Sequence, residues 1–281
     1  MYKIIKKVKL NETVELMEVI CPFVARKCEP GQFVMLCVEP DGERIPLTIA
    51  GYDREKETIT IIYQVVGHST IKLSEKNVGD SIQDLVGPLG QEAHLPEGKK
   101  ILGIGGGVGI APLYPQLTKG KELGNHIDCI LGGQSRDYII LKDEMEALCD
   151  TVHYASNDGS IGVKGFVTDP LLKLLESGEQ YDLVIAIGPL PMMKAICDIT
   201  KKYGIKTNVS LNPIMIDGTG MCGGCRVTVG NETKFACVDG PDFDGHLVAF
   251  EEVIRRQGMY KEEESAAEHI CRMGMEAENA K

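Results

Sequence analysis

Asp217-Gly-Thr-Gly-Met-Cys222-Gly-Gly-Cys225 stands near the carboxyl end of the chain, and Cys237 follows it. The spacing of the acidic and sulfur-bearing side chains is Asp-x4-Cys-x2-Cys-x11-Cys. Plant-type 2Fe–2S proteins space their ligands Cys-x4-Cys-x2-Cys and take a fourth cysteine from farther along the chain. The stretch keeps that spacing with a carboxylate in the first place. It therefore predicts a 2Fe–2S cluster held by Asp217, Cys222, Cys225 and Cys237.

The residue types in this stretch suit such a cluster. Thiolates are the ligands that iron–sulfur clusters prefer, and a carboxylate is a harder oxygen donor that should alter the potential of its iron. Glycines let the backbone wrap tightly and aim N–H groups at the sulfurs; those of the stretch are Gly218, Gly220, Gly223 and Gly224. Two other interpretations stay open: a structural zinc site in which His246 joins the three cysteines, and a buried Cys-x-x-Cys pair without a metal.

Length and charge narrow the class of protein. The 281 residues give room for two domains and a small third unit, and the net charge of −11 argues against nucleic acid and anionic membranes as partners. No apolar run approaches membrane-spanning length, and the amino terminus lacks the apolar core of a signal peptide. The cysteines outside the cluster stretch are scattered, as in a reducing compartment. We expect a cytoplasmic protein.

The first part of the chain, residues 1–97, has the pattern of an antiparallel β-barrel. Short alternating segments are separated by turn signals such as Pro30-Gly31. The predicted strands are Val14–Ile20, Gln32–Val38, Thr58–Val65 and Ser81–Val86, and one helix is predicted at Ser69–Glu75.

The pattern changes at Lys99, where buried strands begin to alternate with helices. This alternation predicts a parallel, doubly wound α/β domain over residues 98–210. The cluster loop occupies residues 211–250, and residues 251–281 form a charged tail that is predicted to be helical. The expected fold is a β-barrel plus an α/β domain with a C-terminal 2Fe–2S loop.

Three motifs follow strands of the predicted parallel sheet. Glycine-rich turns there let a pyrophosphate approach the backbone at a helix N-terminus. Alone, such a turn is also explained by tight packing, but three at one edge predict a dinucleotide site. The candidate contacts are Gly106, Gly107, Val108, Gly109, Ala111, Pro112, Ser135, Arg136, Gly188 and Pro189. Asp158, after the third strand, would repel a 2′-phosphate, which favours NAD(H) over NADP(H).

A phosphate site is also conceivable on the barrel. Ser69 and Thr70 are good N-cap residues at a helix start, and Arg44 could neutralise a pyrophosphate nearby. By themselves these residues describe a capped helix beside a surface arginine.

Taken together, the motifs over residues 3–250 resemble the ferredoxin–NADP reductase superfamily. Within it, the chain is similar to subunits with a C-terminal 2Fe–2S loop, namely the electron-transfer subunits of type 1B dihydroorotate dehydrogenase and the small subunits of NADH-dependent reduced ferredoxin:NADP⁺ oxidoreductase. Asp217 and the long tail look like the second group. The resemblance implies an FAD on the barrel, with Thr48 near flavin N5. The implied FAD contacts are Arg44, Pro46, Leu47, Thr48, Tyr63, Val65, Gly67, His68, Ser69 and Thr70.

The chain departs from the superfamily pattern at two places. The superfamily pattern is Arg-x-aromatic-Ser/Thr. In this chain Arg44 lies one residue too far from Thr48, position 46 is proline, and leucine at position 47 stands where the pattern has an aromatic residue. Ile187 stands where many members have a cysteine before Gly188-Pro189, so we expect no catalytic thiol.

The predicted function is that of an oxidoreductase subunit that moves electrons between NAD(H), FAD and a 2Fe–2S cluster. The resemblance implies a partner, a larger subunit with its own FAD and 4Fe–4S clusters. That partner would use NADPH and ferredoxin and bifurcate electrons, with the present chain as the NAD branch. The alternatives are the dihydroorotate dehydrogenase subunit, a stand-alone NADH reductase, and a non-enzymatic metal-binding module.

Overall fold

The computed structural model describes residues 2–260 and begins with a curled antiparallel sheet. Its strands are β1 (Tyr2–Lys9), β2 (Val14–Ile20), β3 (Phe33–Cys37), β4 (Arg44–Asp53), β5 (Thr58–Gln64), β6 (Ser81–Ile82) and β7 (Asp84–Leu89), and its helices are α1 (Pro22–Ala25) and α2 (His68–Glu75). The strand order is β6-β1-β2-β5-β4-β3-β7. The predicted barrel class is confirmed.

One predicted strand of the barrel is two strands. The segment Ser81–Val86 breaks at Gln83 into β6, which pairs with β1, and β7, which pairs with β3. Strands β6 and β7 are the two opposite edges of the sheet. Segments this close in sequence can reach both edges only if the sheet curls on itself. The break is therefore the point at which the barrel approaches closure.

Strand β3 separates two hydrophobic clusters. Val34 and Leu36 belong to the barrel interior, whereas Phe33 and Met35 belong to the cluster shared with the rest of the chain. Successive side chains of a strand point to opposite faces, so all five residues of this strand are buried although only alternate ones face the barrel interior.

The second sheet is the predicted doubly wound one. It contains β8 (Lys100–Gly106), β9 (His126–Gly133), β10 (Thr151–Ser156), β11 (Val163–Lys164), β12 (Leu183–Ile187) and β13 (Thr207–Ser210), with helices α3 (Ile110–Glu122), α4 (Lys142–Leu148), α5 (Thr168–Glu176) and α6 (Leu190–Lys202) between them. All these strands are parallel, and their order across the sheet is β11-β10-β9-β8-β12-β13. The chain adds strands on one side of β8 first and then on the other, so the strand order reverses at β8. Ligands of such sheets bind in the crevice at the carboxyl ends of the strands beside this reversal.

The segment after β13 forms a small third unit. A hairpin of β14 (Arg226–Val229) and β15 (Glu232–Phe235) leads into the short α7 (Ala236–Asp239), and β16 (Asp242–Asp244) returns to pair antiparallel with β13. α8 (Phe250–Gln257) lies at the start of the predicted helical tail, and residues 261–281 of that tail lie outside the described residues. Of the helices that the structure describes, none has the length and apolar character needed to cross a membrane.

The barrel and the α/β sheet share a packed interface. Ala50 of β4 and Ile62 of β5 belong to one buried cluster with Ile110 and Leu113 of α3. The barrel therefore lies beside the helix that begins at the glycine-rich turn after β8, close to the crevice of the parallel sheet.

Candidate functional site

The predicted cluster loop brings two of its cysteines together. Cys225 and Cys237 are buried, and their Sγ atoms lie 3.2 Å apart. The Cys237 N–H donates to Cys225 Sγ at 3.5 Å, and the Gly224 N–H donates to Cys222 Sγ at 3.4 Å. Backbone N–H groups are thus already aimed at sulfurs, as the glycine-rich stretch predicts.

The other two predicted ligands lie at the rim of this loop. Cys222 is exposed, and both carboxylate oxygens of Asp217 accept backbone hydrogen bonds, Oδ1 from Thr219 and Oδ2 from Cys222, each at 2.8 Å. Among residues 2–260 no three His, Cys, Asp or Glu side chains yet surround a common point. The donor types fit an iron–sulfur cluster, and each Asp217 oxygen, with one N–H donor, keeps a lone pair for a metal.

The buried Cys237 thiol is held in its protonated form at neutral pH. Burial, with smaller contributions from Cys225 and Asp217, raises the pKa of the Cys237 thiol to about 12. Metals bind the thiolate form, so binding at Cys237 must release a proton.

The side chain of His246, the fourth ligand in the zinc interpretation, is hydrogen-bonded to a residue outside the cluster loop. His246 Nε2 lies 3.0 Å from Thr200 Oγ1 in α6, and the His246 N–H donates to Asp244 Oδ1 at 3.0 Å. His246 is thus part of the packing between the third unit and the α/β sheet.

The cluster loop sits directly on the barrel. A Cβ atom at Gly218 would lie 2.6 Å from Met35 Cγ and 3.1 Å from Leu89 Cδ1, so only a glycine fits at this contact. Met35 is paired across the ladder with Pro46, and Phe33 with Thr48. Cross-strand partners point to the same face of a sheet, about 5 Å apart. Pro46 and Thr48 therefore face the side of the barrel on which the cluster loop rests.

Two predicted flavin contacts point the other way. Leu47 packs against the cluster of the barrel interior, and Tyr63 is 1% exposed there, with its hydroxyl donating to Glu15 Oε2 at 2.8 Å. The strand alternation that directs Thr48 outward directs Leu47 inward. Contact of Leu47 and Tyr63 with FAD stays a prediction, and on the outer face it would have to be made by their backbones. The Val65 side chain also packs against this interior cluster.

Arg44 is held by an ion pair. Its guanidinium lies 2.7 Å from Asp84 Oδ2, and both side chains are partly exposed. An exposed pair of this kind is weak, so Arg44 remains able to turn toward a phosphate.

The start of α2 differs from the prediction in its capping residue. Gly67, in an extended conformation, is the N-cap rather than Ser69 or Thr70. Thr70 Oγ1 accepts from the Gly67 N–H at 3.0 Å, and the first intrahelical bond runs from the Ile71 N–H to the Gly67 carbonyl at 2.9 Å. The N–H groups of His68, Ser69 and Thr70 precede that bond and point out of the helix end, which suits an anion.

Glu43 stands beside this helix end. The Ser69 hydroxyl donates to Glu43 Oε2 at 3.3 Å. No motif or spacing in the sequence singles out Glu43. A phosphate at the start of α2 would have to displace this carboxylate.

The glycine-rich turn after β8 has two kinds of glycine. Gly107 has a φ of +56° and has no neighbour near its bare face, so it leaves the backbone open to a ligand. A Cβ atom at Gly109 would lie 2.4 Å from the Ile187 carbonyl oxygen, so Gly109 allows close packing instead. Ala111 is 1% exposed. Gly109 and Ala111 are therefore packed against neighbouring residues, and their contact with a dinucleotide stays a prediction.

The remaining motifs meet the same edge of the sheet. Gly106 ends β8, and Gly188-Pro189 follows the neighbouring strand β12 and leads into α6. Val108 and Pro112 are half-buried in the turn and the first part of α3. The structure thus brings the glycine turns together in the crevice where the strand order reverses.

Arg136 and Asp158 are joined through Ser160. The Arg136 N–H donates to Ser160 Oγ at 2.8 Å, and Ser160 donates to Asp158 Oδ1 from its N–H (2.9 Å) and its hydroxyl (2.7 Å). These hydrogen bonds lower the pKa of Asp158, which is therefore anionic at neutral pH. Half-buried Ser135 precedes Arg136 in the same loop, which places all four residues at the carboxyl edge of β9 and β10.

Phe166 is a residue that sequence reasoning missed. It is 68% exposed and follows β11 at the same edge, next to Val167, which packs against Gly132 of β9. A single exposed aromatic ring is common on protein surfaces, so its position at this edge, rather than its exposure, makes Phe166 a candidate contact. The Lys164-Gly165-Phe166 run after a strand was the available signal.

Three exposed apolar side chains, here called the apolar rim, lie next in sequence to predicted cluster ligands. Met221 is 89% exposed, Ile216 61% and Val238 40%, and all three flank predicted cluster ligands in sequence. Exposed apolar side chains that cluster on a surface often mark an interaction site.

Two family models match the chain. Residues 212–249 match the iron–sulfur cluster binding domain of dihydroorotate dehydrogenase B, and residues 104–198 match the oxidoreductase NAD-binding domain. Both matches fall on the segments in which the sequence predicts these sites.

Relatives and solved structures agree with these matches. An uncharacterized protein of Clostridium beijerinckii is 47% identical over 95% of this chain and 93% of its own. A dihydroorotate dehydrogenase B (NAD(+)) electron transfer subunit homolog of Thermotoga maritima is 45% identical over 93% of this chain and 92% of its own.

Among solved structures, a chain of the NADH-dependent reduced ferredoxin-NADP oxidoreductase, studied for flavin-based electron bifurcation, is 44% identical with a TM-score of 0.90 and covers 95% of this chain and 96% of its own. A ferredoxin NADP+ reductase from Neisseria gonorrhoeae shares the fold alone, at 16% identity, a TM-score of 0.59, and 72% and 90% coverage. The resemblance drawn from the sequence is confirmed.

Proposed function

The chain belongs to the family of flavin and iron–sulfur electron-transfer subunits within the ferredoxin–NADP reductase superfamily, and from that premise we propose that it is the NADH-reactive subunit of an NADH-dependent ferredoxin:NADP⁺ oxidoreductase. In this role it moves electrons between NAD(H), FAD and a 2Fe–2S cluster, and exchanges them with a larger flavoprotein subunit. It would serve as the NAD branch of electron bifurcation, with ferredoxin reached through the partner.

One observation carries this proposal. The likeness to the solved NADH-dependent reduced ferredoxin-NADP oxidoreductase chain covers nearly all of both chains at a TM-score of 0.90. Asp217 in the first ligand position supports the same choice, because the resemblance places a carboxylate there in that group and a cysteine in the dihydroorotate dehydrogenase subunits.

The residues divide the work among three sites. When bound, FAD and the cluster supply the conversion between hydride and single-electron transfer. Thr48 and Pro46 offer the outer barrel face to the flavin, and the N–H groups at the start of α2 receive its phosphates. Gly107 and the crevice between β8 and β12 receive the dinucleotide, and Phe166 offers its ring to the adenine.

The apolar rim formed by Ile216, Met221 and Val238 is the proposed face for the larger subunit. Its residues neighbour the predicted ligands Asp217, Cys222 and Cys237 in sequence, so a partner seated there would bring its own acceptor close to the cluster. Membership of an electron-transfer subunit family supports a partner of this kind.

A second candidate is the electron-transfer subunit of an NAD-dependent dihydroorotate dehydrogenase. The relatives that carry this description support it, including one of Shouchella clausii that is 35% identical over 78% of this chain. The cofactors would be the same and the partner would differ.

The test is purification of the complex without oxygen from its natural source. FAD, iron and sulfide are assayed, the co-eluting subunit is identified, and NADH is added. Flavin bleaching by NADH, together with NADPH- and ferredoxin-dependent turnover of the complex, is expected. Turnover of dihydroorotate instead would support the second candidate, and a colourless protein that does not respond to NADH would exclude both.

A further inference from the structure

Two short strands form the neck of the cluster-binding unit. The chain enters the unit after Ser210, the last residue of β13, and returns at Asp242, the first residue of β16; these residues are directly paired. The Leu211 N–H also donates to the Pro241 carbonyl at 2.9 Å. Both ends of the segment that carries the predicted cluster ligands are therefore held at one place.

Three parts of the chain meet at the Asp242 carboxylate. From α3, Gln116 is 1% exposed and its Nε2 donates to Asp242 Oδ2 at 2.9 Å. From β13, Ser210 is the residue paired with Asp242 across the ladder. His94, in the segment that leaves the barrel, is the titratable group whose charge acts on the carboxylate, and Asp244 is the other acid of β16.

The carboxylate lacks part of its hydrogen bonding. Asp242 Oδ1 is sealed from solvent and accepts no hydrogen bond from the residues that the structure describes. A buried anion with an unpaired oxygen is costly, and the cost is removed when the group takes up a proton. Burial, opposed by Ser210, Gln116 and His94, accordingly raises the pKa of Asp242 to about 6.

The segment that leads into β16 is hydrogen-bonded to Gln91, which follows the last strand of the barrel. The Gln91 N–H donates to the Gly240 carbonyl at 2.6 Å, and Gln91 Nε2 donates to the Val238 carbonyl at 2.7 Å. Val238 directly follows the predicted ligand Cys237. A small movement of β16 at Asp242 would therefore reach the cluster loop and its contact with the barrel.

We infer that Asp242 is a positioning residue of the cluster-binding unit: its carboxyl group fixes the neck of that unit against α3, and the gain or loss of its proton changes how the unit sits against the barrel. The inference rests on the proposed function, because a change of this position matters through electron transfer between the flavin and the cluster.

The direction of the effect follows from the chemistry. The folded-state pKa of Asp242 lies above that of an unfolded aspartate, about 4. The stabilising contribution of the protonated carboxyl is therefore fully present below about pH 4 and is lost as the pH rises through about 6. Above that pH the buried anion strains the neck.

The first test compares thermal unfolding of the cofactor-loaded protein between about pH 5 and about pH 8. Asp242→Asn keeps the shape of the side chain without an ionisable group. It should raise the Tm relative to the unaltered protein by about 3–6 °C at the upper pH and by much less at the lower pH. Asp244→Asn is the matched control on the same strand, because Asp244 caps the His246 N–H, and it should follow the pH dependence of the unaltered protein.

The second test measures the rate at which the cluster is reduced after NADH has reduced the flavin. This rate should change through about pH 6 in the unaltered protein and be independent of pH there in Asp242→Asn. Gln116→Met removes a donor to the anion and should move the midpoint of the change to higher pH, which keeps the test usable if Asp242→Asn does not fold.

The outcomes distinguish failure of the positioning role of Asp242 from failure of the proposed function. Parallel Tm curves for the unaltered protein and Asp242→Asn, or identical pH dependence of their cluster reduction, would overturn the positioning role. A protein with the expected Tm behaviour but no reduction of flavin by NADH would contradict the proposed function instead.

Discussion

The Asp217 Oδ2 atom lies 2.8 Å from the backbone nitrogen of Cys222, so one predicted cluster ligand holds the backbone of another. The carboxylate thus has a structural role even without iron, and its hydrogen bonds with Thr219 and Cys222 lower its pKa. Ligation and loop capping are two separable roles of the same side chain.

Replacing Asp217 with cysteine separates these roles. Asp217→Cys should retain iron and sulfide while shifting the midpoint potential of the cluster, because a thiolate replaces an oxygen donor. A redox titration followed by EPR measures the shift. Asp244→Cys, which alters a capping carboxylate outside the predicted ligand set, should leave the potential unchanged. An unaltered potential and EPR signal in Asp217→Cys would mean that Asp217 serves only as a cap.

The buried cysteine pair is the firmest part of the cluster site. Cys225→Ser should reduce the iron and sulfide content several-fold while the FAD content stays the same, because the hydroxyl is a poor ligand and the barrel is not involved. Metal and flavin analysis of the purified protein measures both. Cys149→Ser, outside the loop, is the control and should keep its iron. Full iron content in Cys225→Ser would contradict the ligand assignment.

The choice between nicotinamide coenzymes can be tested at the loop joined by Ser160. Asp158→Ala removes a negative charge from the edge where a 2′-phosphate would lie, so the ratio of kcat/KM for NADH to that for NADPH should fall by about fivefold. Steady-state kinetics with an artificial acceptor measures this ratio. Asp198→Ala, an exposed carboxylate on α6, should not change it. If the ratio is equal in both variants, Asp158 does not select the coenzyme.

Phe166 offers a test that the sequence did not suggest. Loss of a base–aromatic stack typically costs about 1–3 kcal/mol, so Phe166→Ala should weaken NAD⁺ binding by about tenfold or more. Titration calorimetry with NAD⁺ measures this without turnover. Phe23→Ala is a close control, since Phe23 is 66% exposed on the barrel, compared with 68% for Phe166. Equal affinities would remove Phe166 from the site.

The sequence predicted the strands that have clear hydrophobic periods. Val14–Ile20 and Leu183–Ile187 were predicted with the bounds that the structure shows, and the alternation of strands and helices identified the doubly wound sheet. It could not show that Ser81–Val86 divides between two sheet edges, because that break depends on which strands pair, and pairing is not local.

The direction of side chains in the flavin segment could not be predicted for a related reason. The resemblance implies FAD contacts at Leu47 and Tyr63, but it does not say which way their side chains point. Alternation fixes the period of a strand, but the face toward the ligand is set by the register, here Phe33 opposite Thr48. Asp217 is similar, since spacing identified the residue while the direction of its oxygens depended on loop hydrogen bonds.

The close contact of Gly218 with Met35 holds the predicted cluster loop against the barrel. The rate of electron tunnelling falls exponentially with the gap between donor and acceptor. A single methyl group at position 218, pressed against Met35 and Leu89, would lift the loop and lengthen that gap. Gly218→Ala should therefore lower the rate of electron transfer between flavin and cluster far more than it lowers the iron content. The absence of a side chain at position 218 would then help to determine that rate.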